Sequence, residues 1–157
     1  MILLFRPFTV GDKVTAASHT GVVSDIGLFA TTLVTADNET IIIANSAVTG
    51  ASITNSTRLG TLRGQVPVLV AFGTDTRHAV TVLEKAAKRA GLVLATPAVG
   101  VALTGLGPRG LELTVMPWAN AADYLAMLDN VRHAILEDLA AAGIKGPPAP
   151  PLAGDAP

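Results

Sequence analysis

The stretch GDKVTAASHTGVVSDIGLFATTLVTADNETIIIANSAVTGASITNS, residues 11–56, decides the fold of this chain. It holds four short runs rich in Val, Ile, Thr and Phe, the residue types that favour β-strands. Gly, Asn, Asp and Ser separate the runs, and turns are predicted at Ser18–Gly21 and Ala36–Glu39. The predicted strands are Val14–Ala16, Gly21–Ile26, Phe29–Thr35 and Thr40–Ala44. Strands this short expose unpaired edges, so we expect a closed or strongly curved β unit, or pairing with another subunit.

The order of residues from Phe5 onward is similar to that of one known family. It reads FRPFTVGDKV, then TGVVSDIGLFATTLVTADNETIIIANS, then ITNST. This order resembles the cytoplasmic β-domain of the small-conductance mechanosensitive channel (MscS) family, which reads roughly F-R-P-F-x-x-G-D, then G-x-V-x-x-I, then T-x-L-R-T-x-D and P-N-S, then I-x-N-x-S. Val34 stands where the family has Arg, and Ala44 where it has Pro. The resemblance implies that the residues which carry it also take part in assembly. These residues are Phe5, Arg6, Pro7, Phe8, Gly11, Asp12, Gly21, Thr32, Thr35, Asp37, Asn45, Ser46 and Asn55.

Composition limits the classes of function. Half of the 157 residues are hydrophobic, only 15% are charged and the mean hydropathy is +0.51, so the chain is expected to bury surface against partners. The net charge of −1 and the six aromatic residues argue against a nucleic-acid surface, which needs clustered cations or stacking platforms. The absence of Cys excludes disulfides and thiolate chemistry.

A change of composition at Ser56–Gly64 predicts a domain boundary. The predicted division is a β-domain over residues 1–60, an α+β domain over residues 61–146 and a Pro-rich tail over residues 147–157. The second domain has the predicted order strand, helix, strand, strand, helix. It begins with a strand at Gln65–Phe72. A helix follows that starts at Thr74 or Asp75 and ends at Gly91. Strands at Pro97–Leu106 and Leu111–Trp118 follow, and Asn120–Ala142 is the last helix. This order predicts a ferredoxin-like α+β fold.

The helix at Asn120–Ala142 is predicted to be capped by Asn120. Its apolar stripe follows the three- and four-residue spacing of a buried helix face. The stripe comprises Leu125, Leu128, Val131, Ile135, Leu139 and Ala142.

Patterns that suggest catalysis or ligand binding have simpler structural explanations. Ser18, His19 and Asp25 lie near one another in sequence but without the setting of a nucleophile, and a polar hairpin tip is expected instead. Gly105–Gly110 matches G-x-G-x-x-G, but a strand follows it where a dinucleotide site needs a helix, so a hairpin turn is predicted. Asp129, His133 and Glu137 are four residues apart, which suits an exposed ion-pair ladder better than a metal site. We therefore expect no catalytic residues, no cofactor and no metal.

Two segments bear on the membrane. Ala90–Pro108 is uncharged and approaches the length of a membrane span, but its Pro and Gly residues favour a buried strand. In the resembled family, the segment at Met1–Phe5 follows the pore-lining helix, which these 157 residues do not contain. The Pro-rich end, GPPAPPLAGDAP, lacks the alternation of the strand that forms the family's terminal barrel, and an extended or disordered tail is expected.

The resemblance implies the cytoplasmic part of a channel that releases ions and small solutes under membrane tension. It implies a homo-oligomer of seven copies, attached to the membrane through helices outside this sequence. The parent channel would lie in the inner membrane, with this part soluble on the cytoplasmic side. The alternatives are a soluble Sm-like ring that binds RNA, which the scarcity of basic and aromatic residues disfavours, and an unrelated ligand-binding module.

Overall fold

The structure is a computed structural model, and it describes residues 7–148. The described residues fall into two compact units that divide between Leu62 and Arg63. Phe5 and Arg6, and the tail from residue 149 onward, lie outside the described residues. The α+β fold class is confirmed: the first unit is rich in β-strands and the second combines a sheet with two long helices.

The first unit is a five-stranded antiparallel sheet with one short helix. The strand order is β4-β3-β2-β1-β5. Its elements are β1 (Lys13–Ala16), β2 (His19–Ile26), β3 (Ala30–Val34), β4 (Thr40–Ala44), α1 (Asn45–Thr49) and β5 (Ile53–Asn55). The predicted strands therefore form close to their expected bounds, and they follow one another as neighbours in the sheet.

The core of the first unit lies on one face of this sheet. Alternate residues of the strands point into it, as the period of two requires. Phe8 closes the core from the N-terminal side with 2% of its surface exposed. The buried members are Phe8, Val14, Ala16, Val23, Leu33, Ile43 and Val48.

Two expectations for this unit are corrected. Within the described residues the sheet is not closed, because β4 and β5 are its two edges and α1 lies between them in sequence. The first turn is Ala17–Ser18 rather than Ser18–Gly21, and His19 to Gly21 belong to β2. Ala17 and Ser18 both have positive φ, at 47° and 68°, which matches the two-residue hairpin turn whose twist fits the flanking strands.

The second unit is a three-stranded antiparallel sheet covered by two helices. The strand order is β7-β9-β8, and β7 is an edge, as the lack of an N–H on Pro67 predicts. β6 (Thr61–Arg63) stands at the division between the units. The other elements are β7 (Val66–Val70), α2 (Thr76–Arg89), β8 (Gly100–Gly107), β9 (Gly110–Met116), β10 (Trp118–Asn120) and α3 (Tyr124–Ala141).

Helix α2 begins and packs largely as its sequence predicts. The Asp75 side chain caps it by accepting hydrogen bonds from the backbone N–H groups of Arg77 and His78, at 3.0 and 3.2 Å. Leu83 and Ala87 on its inner face are fully buried. The last turn of α2 carries Lys88 and Arg89, and Arg89 lies 2.8 Å from Glu137 and 2.7 Å from Asp138 on α3.

Helix α3 departs from the prediction at its start. A 3-10 turn at Ala121–Asp123 precedes it, and Asn120 makes no capping hydrogen bond to the backbone. Leu125 is 69% exposed because it lies off the buried face of the helix, and Ala142 follows the end of the helix and is exposed. The buried stripe is Met127, Leu128, Val131, Ala134 and Ile135.

The suspected catalytic and membrane patterns resolve into ordinary structure. Gly107 pairs with Gly110 across a hairpin between β8 and β9, so the glycine motif opens a strand and not a helix. No helix within residues 7–148 is long and apolar enough to cross a membrane. Residues 90–108 contain the loop that follows α2 and the whole of β8.

Candidate functional site: two polar junctions and an apolar tip

The predicted assembly residues do not form one site. Asp12 and Asn55 meet at one end of the β sheet, whereas Asn45 lies at the turn between β2 and β3. Gly21, Thr32 and Thr35 lie in or after β2 and β3, Asp37 is exposed in the turn before β4, and Ser46 is exposed in α1. The structure thus separates these residues into two junctions and several turn positions.

The first junction is centred on the carboxylate of Asp12. Its Oδ2 accepts hydrogen bonds from the Thr9 backbone N–H at 2.9 Å and from Asn55 Nδ2 at 2.8 Å. Its Oδ1 accepts a bond from the Thr57 hydroxyl at 3.1 Å. The bonds from Asn55 and Thr57 join the start of β1 to the end of β5 and the residue two positions after it, which are more than forty positions away in sequence.

The hydrogen bonds also stabilise the charged form of Asp12. The backbone N–H of Thr9 makes the largest contribution, with the side chains of Asn55 and Thr57 adding to it against a smaller cost of burial, and the pKa of Asp12 is lowered from its ordinary value of 3.8. Asn55 in turn accepts hydrogen bonds from the backbone N–H groups of Thr57 and Arg58, each at 3.0 Å. Arg58 then donates to the Pro7 carbonyl oxygen at 3.0 Å. The junction therefore fixes the path by which the chain enters this unit.

The second junction is made by Asn45. Its Nδ2 donates to the carbonyl oxygens of Gly27 and Leu28, at 3.0 and 3.1 Å, and its Oδ1 accepts from the Thr31 hydroxyl at 2.8 Å. Its backbone N–H donates to the Phe29 carbonyl oxygen at 2.8 Å. One residue directly after β4 thus holds the whole turn between β2 and β3.

The turn that Asn45 holds presents two apolar side chains to the outside. Leu28 is 72% exposed and Phe29 is 82% exposed. We call Leu28 and Phe29 the apolar tip. Large apolar side chains fixed in an exposed position are typical of surfaces that contact another molecule. The sequence pattern did not predict this feature, because Phe29 fell inside a predicted strand; the available signal was the Leu-Phe pair after Gly27.

At Gly21 and Thr35 the local structure explains why these residue types fit. A Cβ added to Gly21 would lie 2.8 Å from the Val34 carbonyl oxygen, so only glycine allows β2 and β3 to approach this closely. Thr35 closes the turn before β4, where its hydroxyl accepts a hydrogen bond from the Glu39 N–H at 3.1 Å.

Asp129, His133 and Glu137 do not form one continuous ladder on α3. His133 lies 3.8 Å from Asp129, but Glu137 is bonded to Arg89 instead of completing the ladder. Within residues 7–148 no group of three His, Asp or Glu side chains is placed to hold a metal ion. What the geometry supports is a rigid scaffold with an exposed contact point.

Comparisons with known proteins agree with this architecture. Residues 1–58 match the family model described as the mechanosensitive ion channel β-domain, and residues 65–145 match the model of the MscS C-terminal region. A small-conductance mechanosensitive channel of Edwardsiella ictaluri is 31% identical over 139 residues, covering 86% of this chain and 49% of the relative. The mechanosensitive channel MscK of Escherichia coli K12 is 38% identical over 114 residues, covering 71% of this chain and 10% of the relative.

Solved structures share the fold. The closed-state crystal structure of Helicobacter pylori MscS has a TM-score of 0.88 at 21% identity and covers 95% of this chain and 59% of that one. The cryo-EM structure of Arabidopsis thaliana MSL1 has a TM-score of 0.73 at 18% identity and covers 94% of this chain and 56% of that one. The chain spans about half the length of the first curated relatives that it matches. It carries a β-domain and a C-terminal domain in the family's order, and it belongs to the MscS family of mechanosensitive ion channels.

Proposed function

We propose that this chain is the cytoplasmic vestibule portion of a mechanosensitive channel that releases ions and small solutes under membrane tension. The observation that carries the proposal is the match of two consecutive family models over nearly the whole described chain. In this role the chain performs no catalytic step. It assembles the wall below the pore and filters the solutes that reach it, while the parent channel lies in the inner membrane with this portion on the cytoplasmic side.

The β unit has the surface that such an assembly needs. Within residues 7–148 its two edge strands, β4 and β5, offer unpaired backbone groups, and the Asn45 junction holds the apolar tip in one position. Ile42 on β4 adds another exposed apolar side chain, at 71%. A ring satisfies such surfaces by repeating one heterologous contact until it closes. We propose seven copies, as the family resemblance implies.

The mass of the purified chain tests the assembly. Seven chains of 16.0 kDa give a particle of about 112 kDa in multi-angle light scattering. A particle that stays at the mass of one chain across micromolar concentrations contradicts assembly through this portion. Salt-sensitive binding of RNA by the purified chain would instead favour the alternative function, a soluble Sm-like ring.

A further inference from the structure

The end of the first unit where the chain enters carries two exposed aliphatic side chains on adjoining turns. Val10, in the turn at residues 9–12, is 59% exposed, and Leu59, in the turn at residues 57–60, is 88% exposed. We propose that these two turns rest against a lipid surface with anionic headgroups. The membrane as partner depends on the proposed function, whereas the contact surface depends only on the residues of this unit.

Hydrogen bonds join the two turns at their corners. The Thr57 hydroxyl donates to Asp12 Oδ1 at 3.1 Å, and its oxygen accepts from the Lys13 backbone N–H at 3.1 Å. Arg58 Nη1 donates to the Pro7 carbonyl oxygen at 3.0 Å. Asp12 is the last residue of the first turn and Thr57 is the first residue of the second. The two exposed aliphatic side chains therefore lie at the same end of the unit.

A glycine follows the aliphatic residue in each turn. Gly11 follows Val10 with a φ of 95°, and Gly60 follows Leu59 with a φ of 76°. These left-handed conformations favour glycine and allow each turn to close within four residues. The backbone of each turn thus holds an aliphatic side chain in an exposed position, which is typical of a surface that contacts another phase or molecule.

The exposed charge at this end of the unit is positive. Lys13 and Arg58 are exposed, and within residues 7–148 neither forms an ion pair. The neighbouring carboxylate of Asp12 is engaged by four hydrogen bonds. Lys and Arg side chains are attracted to the negative surface potential of an anionic bilayer.

Aliphatic side chains beside exposed cations have the chemistry of a lipid interface. Apolar side chains enter the boundary between headgroups and acyl chains, while Lys and Arg meet the headgroup phosphates. A nucleic acid or a polyphosphate offers phosphates to Lys13 and Arg58 but no acyl layer to Val10 and Leu59. The combination therefore favours a membrane over other polyanions.

Vesicle flotation of the whole chain tests the contact. The unmodified chain is expected to bind vesicles of equal parts phosphatidylcholine and phosphatidylglycerol, and to leave pure phosphatidylcholine vesicles unbound. Val10→Ser with Leu59→Ser should raise the lipid concentration for half-binding at least about ten-fold, because two apolar contacts are lost. Lys13→Gln should raise it about five-fold. Leu106→Ser in the second unit removes a side chain of similar exposure, 75%, and should bind like the unmodified chain.

A fluorescent probe locates the contact, because the chain contains no Cys. Leu59→Cys labelled with a polarity-sensitive dye is expected to emit at shorter wavelength when the anionic vesicles are added. Leu106→Cys with the same dye is expected to show no shift. This measurement also stands if the serine variants fail to fold.

Four vesicle results overturn the proposal: no binding of the unmodified chain, equal binding to the neutral vesicles, unchanged binding of the double serine variant, and equal dye shifts at Leu59 and Leu106. A changed particle mass of the double variant without lipid also overturns it, because the turns would then contact another copy. Vesicle binding needs no pore, so its failure leaves the proposed channel function standing. Intact vesicle binding without tension-activated currents would count against the channel function alone.

Discussion

Asn55 donates a hydrogen bond from Nδ2 to Oδ2 of Asp12 at 2.8 Å, and this bond joins residues that are 43 positions apart. It links the first and last strands of the β unit at the end where the chain enters. Since β5 has only three residues, side-chain bonds supply much of its attachment to β1. The hydrogen-bonded pair of Asp12 and Asn55 therefore helps to hold β5 against β1.

The first prediction concerns the charge of Asp12. Asp12→Asn keeps the shape but removes the charge that accepts four hydrogen bonds, one from a backbone N–H and three from side chains, and it is expected to lower the free energy of unfolding by about 1–2 kcal/mol at pH 7. Chemical denaturation followed by circular dichroism measures this change. Asp37→Asn in the exposed turn makes the same change of charge and is expected to have little effect.

The same contact sets a pH dependence. The pKa of Asp12 is lowered in the folded state, so its contribution is complete above the ordinary value of 3.8 and is lost as the pH falls through the folded-state pKa. The unmodified chain should therefore lose more stability than Asp12→Asn as the pH falls from about 5 toward 2. Parallel acid-unfolding curves for the two proteins would contradict this assignment.

The second prediction concerns the junction at Asn45. Asn45→Ala removes three side-chain hydrogen bonds to the turn between β2 and β3. We expect a loss of about 1–3 kcal/mol and faster hydrogen exchange from Gly27 to Phe29. Asn38→Gly is the control, because Asn38 has a φ of 62° that glycine adopts freely. Unchanged exchange in the turn would show that Asn45 does not hold it.

The third prediction concerns the β8–β9 hairpin. A Cβ on Gly110 would collide with the Val70 carbonyl oxygen, whereas a Cβ on Gly107 would lie 3.7 Å from its nearest contact. Gly110→Ala is expected to cost about 1–3 kcal/mol, and Gly107→Ala is expected to be close to neutral. Thermal melts of the two single variants compare them directly. Equal melting temperatures would contradict the close packing of β9 against β7.

The sequence predicts most strands of the β unit because alternation and turn residues act locally. It also predicts the cap of α2, because Asp75 bonds to backbone N–H groups close to it in sequence, those of Arg77 and His78. Features that depend on distant partners are missed: the Arg89 bonds to α3, the exposure of Leu125 and the position of the first turn. The family resemblance identified Asp12, Asn45 and Asn55, but only the structure assigns them to two separate junctions.

The fourth prediction concerns the apolar tip. Replacing both Leu28 and Phe29 by Ser should change the stability of the monomer by no more than about 0.5 kcal/mol, because both side chains are exposed. Assembly, measured as mass by light scattering, should be lost. Leu59→Ser is the matched control, since Leu59 is 88% exposed and lies away from the tip in sequence. If the double variant still forms particles of the unmodified mass, the apolar tip is not part of the assembly contact.

We propose that this chain forms the vestibule of a tension-gated channel. The most direct test fuses it behind the membrane-spanning half of the Edwardsiella ictaluri relative, in cells that lack their own mechanosensitive channels, and records currents from membrane patches under suction. We expect tension-activated currents from the chimera, and their loss when Leu28 and Phe29 are both replaced by Ser. A chimera that reaches the membrane but passes no current up to the tension that ruptures the patch would contradict it.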